Sequence, residues 1–322
     1  MTMQSRILLI GNTPSPYTRK MLALLRYRHI PHAVIWGDPK EVLQSKGVAP
    51  PKVSLLPTFL FADNEGGLQA QVDSTPIIRK LESLFDERSV LPTDPSLAFI
   101  DYLLEDFADE WCTKYMFHYR WHESKDADQA GTLLPFCIDP SMSIKQQQWA
   151  KEHFTKRQIQ RLYVVGSSTL TAPIIDASYR RFLCTLDEHL THLPYLLGTR
   201  PSAADFALYG QLTQLAWFDP TPREITLALA PRVSAWTLKT EDLSGVEPLA
   251  SDWLSLENAP STLKSLLCEV GKVYVPALVA NAKALAAGDT QWSLPIDGAR
   301  WEQPSFAYQG KCLHWIKAEF EA

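Results

Sequence analysis

The order of apolar runs in the first 85 residues limits the fold more than any other feature. "RILLIG" (6–11) is a short continuous apolar run of the kind that makes a buried strand. From Pro16 to about His29, Tyr17, Met21, Leu24 and Leu25 recur at helical spacing. "HAVIWG" reads as a second strand and "PKEVLQSK" as a short helix. "PTFLFAD" and "LQAQV" are two further strands around "NEGG", a hairpin turn signal. "DSTPIIRKLESLF" closes the unit as a helix whose stripe is Ile77, Ile78, Leu81, Leu84 and Phe85. The order is β-α-β-α-β-β-α, a small α/β unit.

"DERSVLPTDPSL" follows, with charge, two prolines and no periodicity, and reads as a linker. Beyond it the pattern is helical. "AFIDYLLEDFADEWCTKYMFHYRWH" repeats apolar residues over roughly 25 positions. "SIKQQQWAKEHFTKRQIQRLYVV", "IDASYRRFLCTLDEHLTHL", "RPSAADFALYGQLTQLAWF" and "STLKSLLCEVGKVYVPALVANAKALAAG" are later helices, and Pro276 is expected to kink or break the last. The reading is therefore an N-terminal α/β domain (1–86), a linker (87–95) and an all-α C-terminal domain (96–322). No internal repeat or low-complexity tract interrupts it.

The 322 residues carry a net charge of −5, with no basic patch for nucleic acid and no polybasic helix for a membrane surface. No apolar run approaches the ~20 residues of a membrane span. The apolar segment of "MTMQSRILLIGN" is too short for a secretory signal. The five cysteines (112, 137, 184, 268 and 312) are scattered, odd in number and without a C-x-x-C pair. That predicts a reducing, cytoplasmic compartment, with Cys312 a buried thiol. The eight histidines show no ligand spacing with the cysteines, so no metal is expected.

Three short stretches carry chemistry. In "NTPSPYTRK", Ser15 precedes Pro16 at the start of a helix. Serine is a favoured N-cap and proline a favoured first residue, so capping alone accounts for the pair. The same geometry also steadies an anion, because a helix N-terminus carries partial positive charge and free N–H groups. There Ser15 would stabilise a bound thiolate rather than act as nucleophile. The run Ser15-Pro16-Tyr17-Thr18 lacks both sulfurs of a Cys-Pro-x-Cys site, so the thiol must come from a co-substrate. In "SLLPTFLF", Pro57 opens a strand, as a proline that cannot donate to the ladder must. In "QVDSTPIIRKLE", Asp73 and Ser74 start a helix, where they either cap it or receive the amino-acid end of a peptide: ammonium on Asp73, carboxylate on Ser74.

The β-α-β-α-β-β-α order is the plan of a thioredoxin-like domain, and together the motifs resemble the glutathione transferase family. The parallels are "SPYTRKMLALLRYRHIPH", "LLPTF", "DSTPIIRKLE" and "YLLGTRPSAADFALYGQL", in order, over roughly residues 6–220. In the last, Ser202 with Asp205 matches the family's capping box, a folding element. The resemblance implies a thioredoxin-like domain joined to an all-α domain, usually as a homodimer. It implies glutathione as co-substrate, with Ser15 activating its thiol and Thr13 the alternative hydroxyl. It implies a cis peptide before Pro57, with Leu56 pairing with the cysteinyl backbone and Asp73 and Ser74 holding the γ-glutamyl group. Lys52, near the glycyl carboxylate in this alignment, lies several residues earlier than the lysine some members place beside a Val-Pro pair. The electrophile would bind between the domains, against Tyr17, Trp111, Tyr115, His118, Tyr119 and Trp121, although an aromatic stripe at this spacing equally suits a core or dimer interface.

The chain departs from the family in an insertion at about 123–170 and an extension at about 240–322, whose aromatic content suggests packing over the body. Expected function is conjugation of glutathione to a small electrophile. The alternatives are a non-catalytic binding module of the same fold, or a glutathione-dependent isomerase, dehalogenase or peroxidase.

Overall fold

The computed structural model describes residues 7–63 and 66–322. Residues 1–6, with Arg6 of the first apolar run, and Asn64 and Glu65 of the hairpin turn lie outside the described residues.

The N-terminal elements follow the expected order: β1 (Ile7–Gly11), α1 (Pro16–Tyr27), β2 (His32–Trp36), α2 (Pro39–Ser45), β3 (Thr58–Ala62), β4 (Leu68–Gln71) and α3 (Ser74–Leu84). The sheet order is β2-β1-β3-β4. β1 runs parallel to β2 with Leu9 opposite Val34, and antiparallel to β3 with Leu9 opposite Phe59. β3 and β4 pair antiparallel, and the Asp63 N–H to Gly67 carbonyl bond of 3.0 Å draws the hairpin ends together.

The C-terminal domain is helical: α4 (Pro95–Glu110), α5 (Cys112–His122), α6 (Ser124–Ile138), α7 (Ile144–Ile159), α8 (Ala172–His189), α9 (Ala203–Thr213), α10 (Pro220–Leu229), α11 (Pro231–Thr240), α12 (Ser261–Glu269) and α13 (Val275–Ala287). The single helix expected over 98–122 divides at Trp111. The irregularity expected at Pro276 falls one turn earlier, as a π-helical turn at Val270–Tyr274, leaving Pro276 in the first turn of α13, where its missing N–H costs nothing. Residues 123–170 fold as a hairpin of α6 and α7, not read as such from sequence.

One addition to the all-α reading is a β-hairpin, β5 (Gln291–Ile296) with β6 (Ala299–Pro304), before the last helix α14 (Ala307–Glu321). Its turn is Asp297-Gly298, both with positive φ (52° and 77°), the Asp-Gly signal of a two-residue hairpin. Trp292, Ile296 and Trp301 face inward from it.

One continuous core joins the two domains, from Leu9, Leu24 and Phe59 to Phe107, Tyr179 and Leu212. Each such side chain contributes ~1.5–3 kcal/mol on burial. Helix α1 lies against α9 so closely that a Cβ on Gly210 would sit 2.4 Å from the Pro16 carbonyl oxygen. At the start of α9, Asp205 accepts from the Ser202 N–H at 2.9 Å and from the Leu196 N–H at 2.9 Å. This is the expected capping element, and it also ties down the incoming loop. No helix among the described residues is long and apolar enough to cross a membrane.

Candidate active site

The turn between β1 and α1 is held from three sides. The Thr18 N–H donates to Ser15 Oγ at 3.2 Å, the Asn12 N–H donates to Thr18 Oγ1 at 3.3 Å, and buried Arg120 donates to the Pro14 carbonyl at 3.3 Å. Ser15 is thus an N-cap that accepts one bond and keeps its own hydroxyl proton available to a ligand. Ser15 is half-buried and Thr13 is exposed. The Leu56–Pro57 peptide is cis. Asp73 adopts φ +82° and ψ 110° at the start of α3 and makes no capping bond of its own.

These segments border a cavity of about 540 Å³. Leu56, Pro57, Asp73 and Ser74 form one side of it, with exposed Lys52 at the edge. Tyr17, Asp106, Asp109, Glu110 and Thr113 form another. The third side comes from the far end of the chain: Phe306, Tyr308, Gln309 and Trp315. Tyr308 donates its phenol proton to Asp73 Oδ2 at 2.8 Å, so the carboxylate assigned to a ligand ammonium already has a partner in the tail. Burial raises the Asp73 carboxyl above its ordinary range despite that bond. Ser15 and Thr13 do not line the cavity.

Two family models match the chain: the N-terminal domain of glutathione S-transferases over residues 9–89 and the C-terminal domain over 155–237, together about half of it. The chain belongs to the glutathione S-transferase family. Solved structures similar to it include a glutathione S-transferase from Methylobacterium radiotolerans in complex with glutathione sulfonate (18% identity, 80% of this chain and 98% of that one, TM-score 0.43). A glutathione transferase family member from Pseudomonas fluorescens, with two glutathione bound, has 16% identity over 83% of this chain and 94% of that one (TM-score 0.41). A GST-like protein from Pseudomonas syringae has 16% identity over 74% of this chain and 67% of that one (TM-score 0.46). A comparison with curated proteins gave no match.

In this transferase-family chain the buried charge behind the cavity is as distinctive as the cavity. Lys20, on α1 and fully buried, reaches Glu105 Oε1 at 2.7 Å, Asp109 Oδ2 at 2.6 Å and Ser74 Oγ at 3.1 Å. Arg79 adds a second cation on Glu105, and the Thr75 hydroxyl donates to it at 3.1 Å. Burial pushes Glu105 up, but the Arg79 and Lys20 charges outweigh it and hold the carboxyl well below its usual range. Asp109 shares Lys20 but has no second cation, and its Oδ1 has no partner, so burial keeps it above its usual range. Ser74, expected to meet a ligand carboxylate, instead accepts from Lys20.

The other two carboxylates on this wall have weaker partners. Tyr274 donates to Asp106, and Gln309 lies 3.4 Å from Glu110. Burial, reinforced by neighbouring carboxylates, lifts Asp106 to about 7 and Glu110 to about 8. Tyr17 donates to the Asp109 carbonyl at 2.7 Å and lies 3.0 Å from Thr113 Oγ1, and burial holds the phenol protonated.

The aromatic residues of α5 are a correction to the sequence reading. Trp111, Tyr115 and Tyr119 recur every fourth residue on the face turned to α8, not to the cavity. The Trp111 indole donates to Ser178 Oγ at 3.2 Å, the Tyr115 hydroxyl lies 2.7 Å from the same oxygen, and Tyr119 donates to Asp176 at 2.6 Å. All three are buried core, as are His118 and Trp121. The neighbouring face of α5, through Thr113 and Lys114, is the one that reaches the cavity. Cys312 is buried, and burial pushes its thiol far above the usual range.

Sequence reasoning missed Lys20 and Tyr308. "LLEDFADEW" did carry a signal for the first. It sets like charges at i and i+4, Glu105 with Asp109 and Asp106 with Glu110, a pattern that disfavours an exposed helix and asks for buried counter-charge.

Proposed function

We propose that the chain binds glutathione in this cavity and uses it as a nucleophile toward a small electrophile. The observation that carries the reading is that Leu56, the Asp73-Ser74 pair and α4, well separated in sequence, border a single cavity of about 540 Å³ that Tyr17 of the first turn of α1 also lines. In this reading the Leu56 backbone pairs with the cysteinyl unit, Asp73 receives the α-ammonium, and the N–H groups at the start of α3 receive the γ-glutamyl carboxylate. Lys52 at the cavity edge offers a cation to the glycyl carboxylate. The Ser15 hydroxyl donates to the sulfur, and the α1 N-terminus favours the thiolate. The thiol proton passes to solvent. The thiolate then forms a carbon–sulfur bond with the electrophile, whose leaving group departs with the bonding pair. Thr13, exposed at the same turn, is the alternative hydroxyl.

A second reading, a binding module without turnover, draws on two features: Ser15 does not line the cavity, and Tyr308 already occupies Asp73. One titration separates them: thiolate absorbance of bound glutathione against pH, for the wild type and Ser15→Ala. The enzyme reading expects a thiol pKa well below the ordinary thiol value, returning toward it in Ser15→Ala, with about 1 kcal/mol of stability lost from the missing cap. Tight binding with an unshifted thiol in both proteins selects the binding module. No binding removes both.

A further inference from the structure

We propose that His118, His122 and Glu123, at the end of α5, form a binding site for a divalent transition-metal ion of the zinc class. The two histidines are four residues apart, so one helical turn stacks their rings with centroids 4.5 Å apart. One ligand atom from each of the three residues lies within 4.8 Å of the others. The His118 imidazole is oriented by Ser167 Oγ, 2.7 Å from its Nδ1, and a proton held there leaves Nε2 as a lone pair, the form in which imidazole binds a metal. The Glu123 carboxylate already lies beside the His122 ring, with Oε1 3.1 Å from Nδ1. Neither Nε2 makes a hydrogen bond to another of the described residues.

The donor set decides the class of ion. Two imidazoles and one carboxylate suit Zn2+, Co2+, Ni2+ or Cu2+, whereas Mg2+ and Ca2+ require more oxygen ligands. Bonds of about 2.0–2.1 Å place tetrahedral ligands about 3.4 Å apart. His118 is 3% exposed and fixed, while the His122 and Glu123 side chains are 29% and 45% exposed, so rotation of those two closes the set. The one cation between the histidines in sequence, Arg120, turns away to Asp219, which it meets at 2.8 Å, and so does not oppose a metal. Three protein ligands leave one position for water. In sequence the pair stands as "HYRWH", with no cysteine near it.

The test uses the full chain stripped of metal by chelation. Calorimetric titration with Zn2+ is expected to give one equivalent, and Co2+ a visible absorption band of a tetrahedral site. His122→Gln and Glu123→Gln should each weaken Zn2+ binding tenfold or more, and Mg2+ should not compete. Both positions are partly exposed, and the metal-free melting temperature of each variant reports whether it is folded. If one fails to fold, the other carries the test. Absence of Zn2+ binding overturns the proposal. So does binding unchanged in a folded variant, or a near-ultraviolet cobalt–thiolate band, which would place the ion at exposed Cys184 or Cys268 instead.

Discussion

Helix α4 carries two pairs of carboxylates withdrawn from water, each pair one turn long, and the pairs meet different partners. Glu105 and Asp109 meet two cations, Lys20 and Arg79. Asp106 and Glu110 meet a phenol and an amide. In the first pair Glu105 is held below its usual range while Asp109, with one cation, stays above it, whereas both members of the second are lifted, to about 7 and 8. All four leave water on the same helix. What separates them is what the neighbouring elements bring within reach: cations from α1 and α3 for one pair, a phenol from the turn before α13 and an amide from α14 for the other.

The largest expected effect comes from removing the shared cation. Lys20→Met leaves Asp109 without a counter-ion and Glu105 with only Arg79, and should cost about 3 kcal/mol in urea denaturation at pH 7. Adding Asp109→Asn should recover part of the loss, which a purely steric role for Lys20 would not allow.

The second pair gives the pH dependence. Asp106 and Glu110 titrate higher folded than unfolded, so their contribution to stability is complete below about pH 4 and is lost as pH rises through about 7 to 8. Glu105 has the opposite sign: its contribution is present above its ordinary value and is lost as pH falls below it. Urea denaturation should therefore show greatest stability near pH 4, where the two opposing contributions cross, and a progressive loss as pH rises from there through about 8. Asp106→Asn keeps an acceptor for Tyr274 and should flatten the alkaline loss. An unchanged slope would mean that Asp106 is not the group responsible.

The smallest effect concerns the tail. Tyr308→Phe removes one hydrogen bond from Asp73 and should cost no more than about 1 kcal/mol of stability. If phenol and ligand ammonium compete for that carboxylate, glutathione affinity should rise roughly three- to tenfold, the equivalent of one such bond, as read by calorimetry. Unchanged affinity would mean that Asp73 serves both at once.

Legibility in sequence followed the range of the interactions. The elements of the first 85 residues were readable because each rests on local signals: strand runs, Pro16 at a helix start, Pro57 at a strand start. The capping element at Ser202 and Asp205 was readable for the same reason. The split at Trp111, the side of α5 that faces the cavity, and the partners of Lys20 depend on which elements pack together, and periodicity does not fix that. Trp111, Tyr115 and Tyr119 show the limit: a stripe identifies a buried face but not what buries it. The hairpin at 291–304 is different, because its Asp297-Gly298 turn was a local signal that the helical trend around it obscured.

The Tyr308–Asp73 bond joins positions 235 residues apart. A growing polypeptide exposes the β4–α3 turn long before residue 308 is synthesised, and for that interval Asp73 has no tail to meet. The cavity acquires its third side only once residues 306–315 have been synthesised. A chain that terminates early would keep every signature of the N-terminal domain yet present that turn open to solvent.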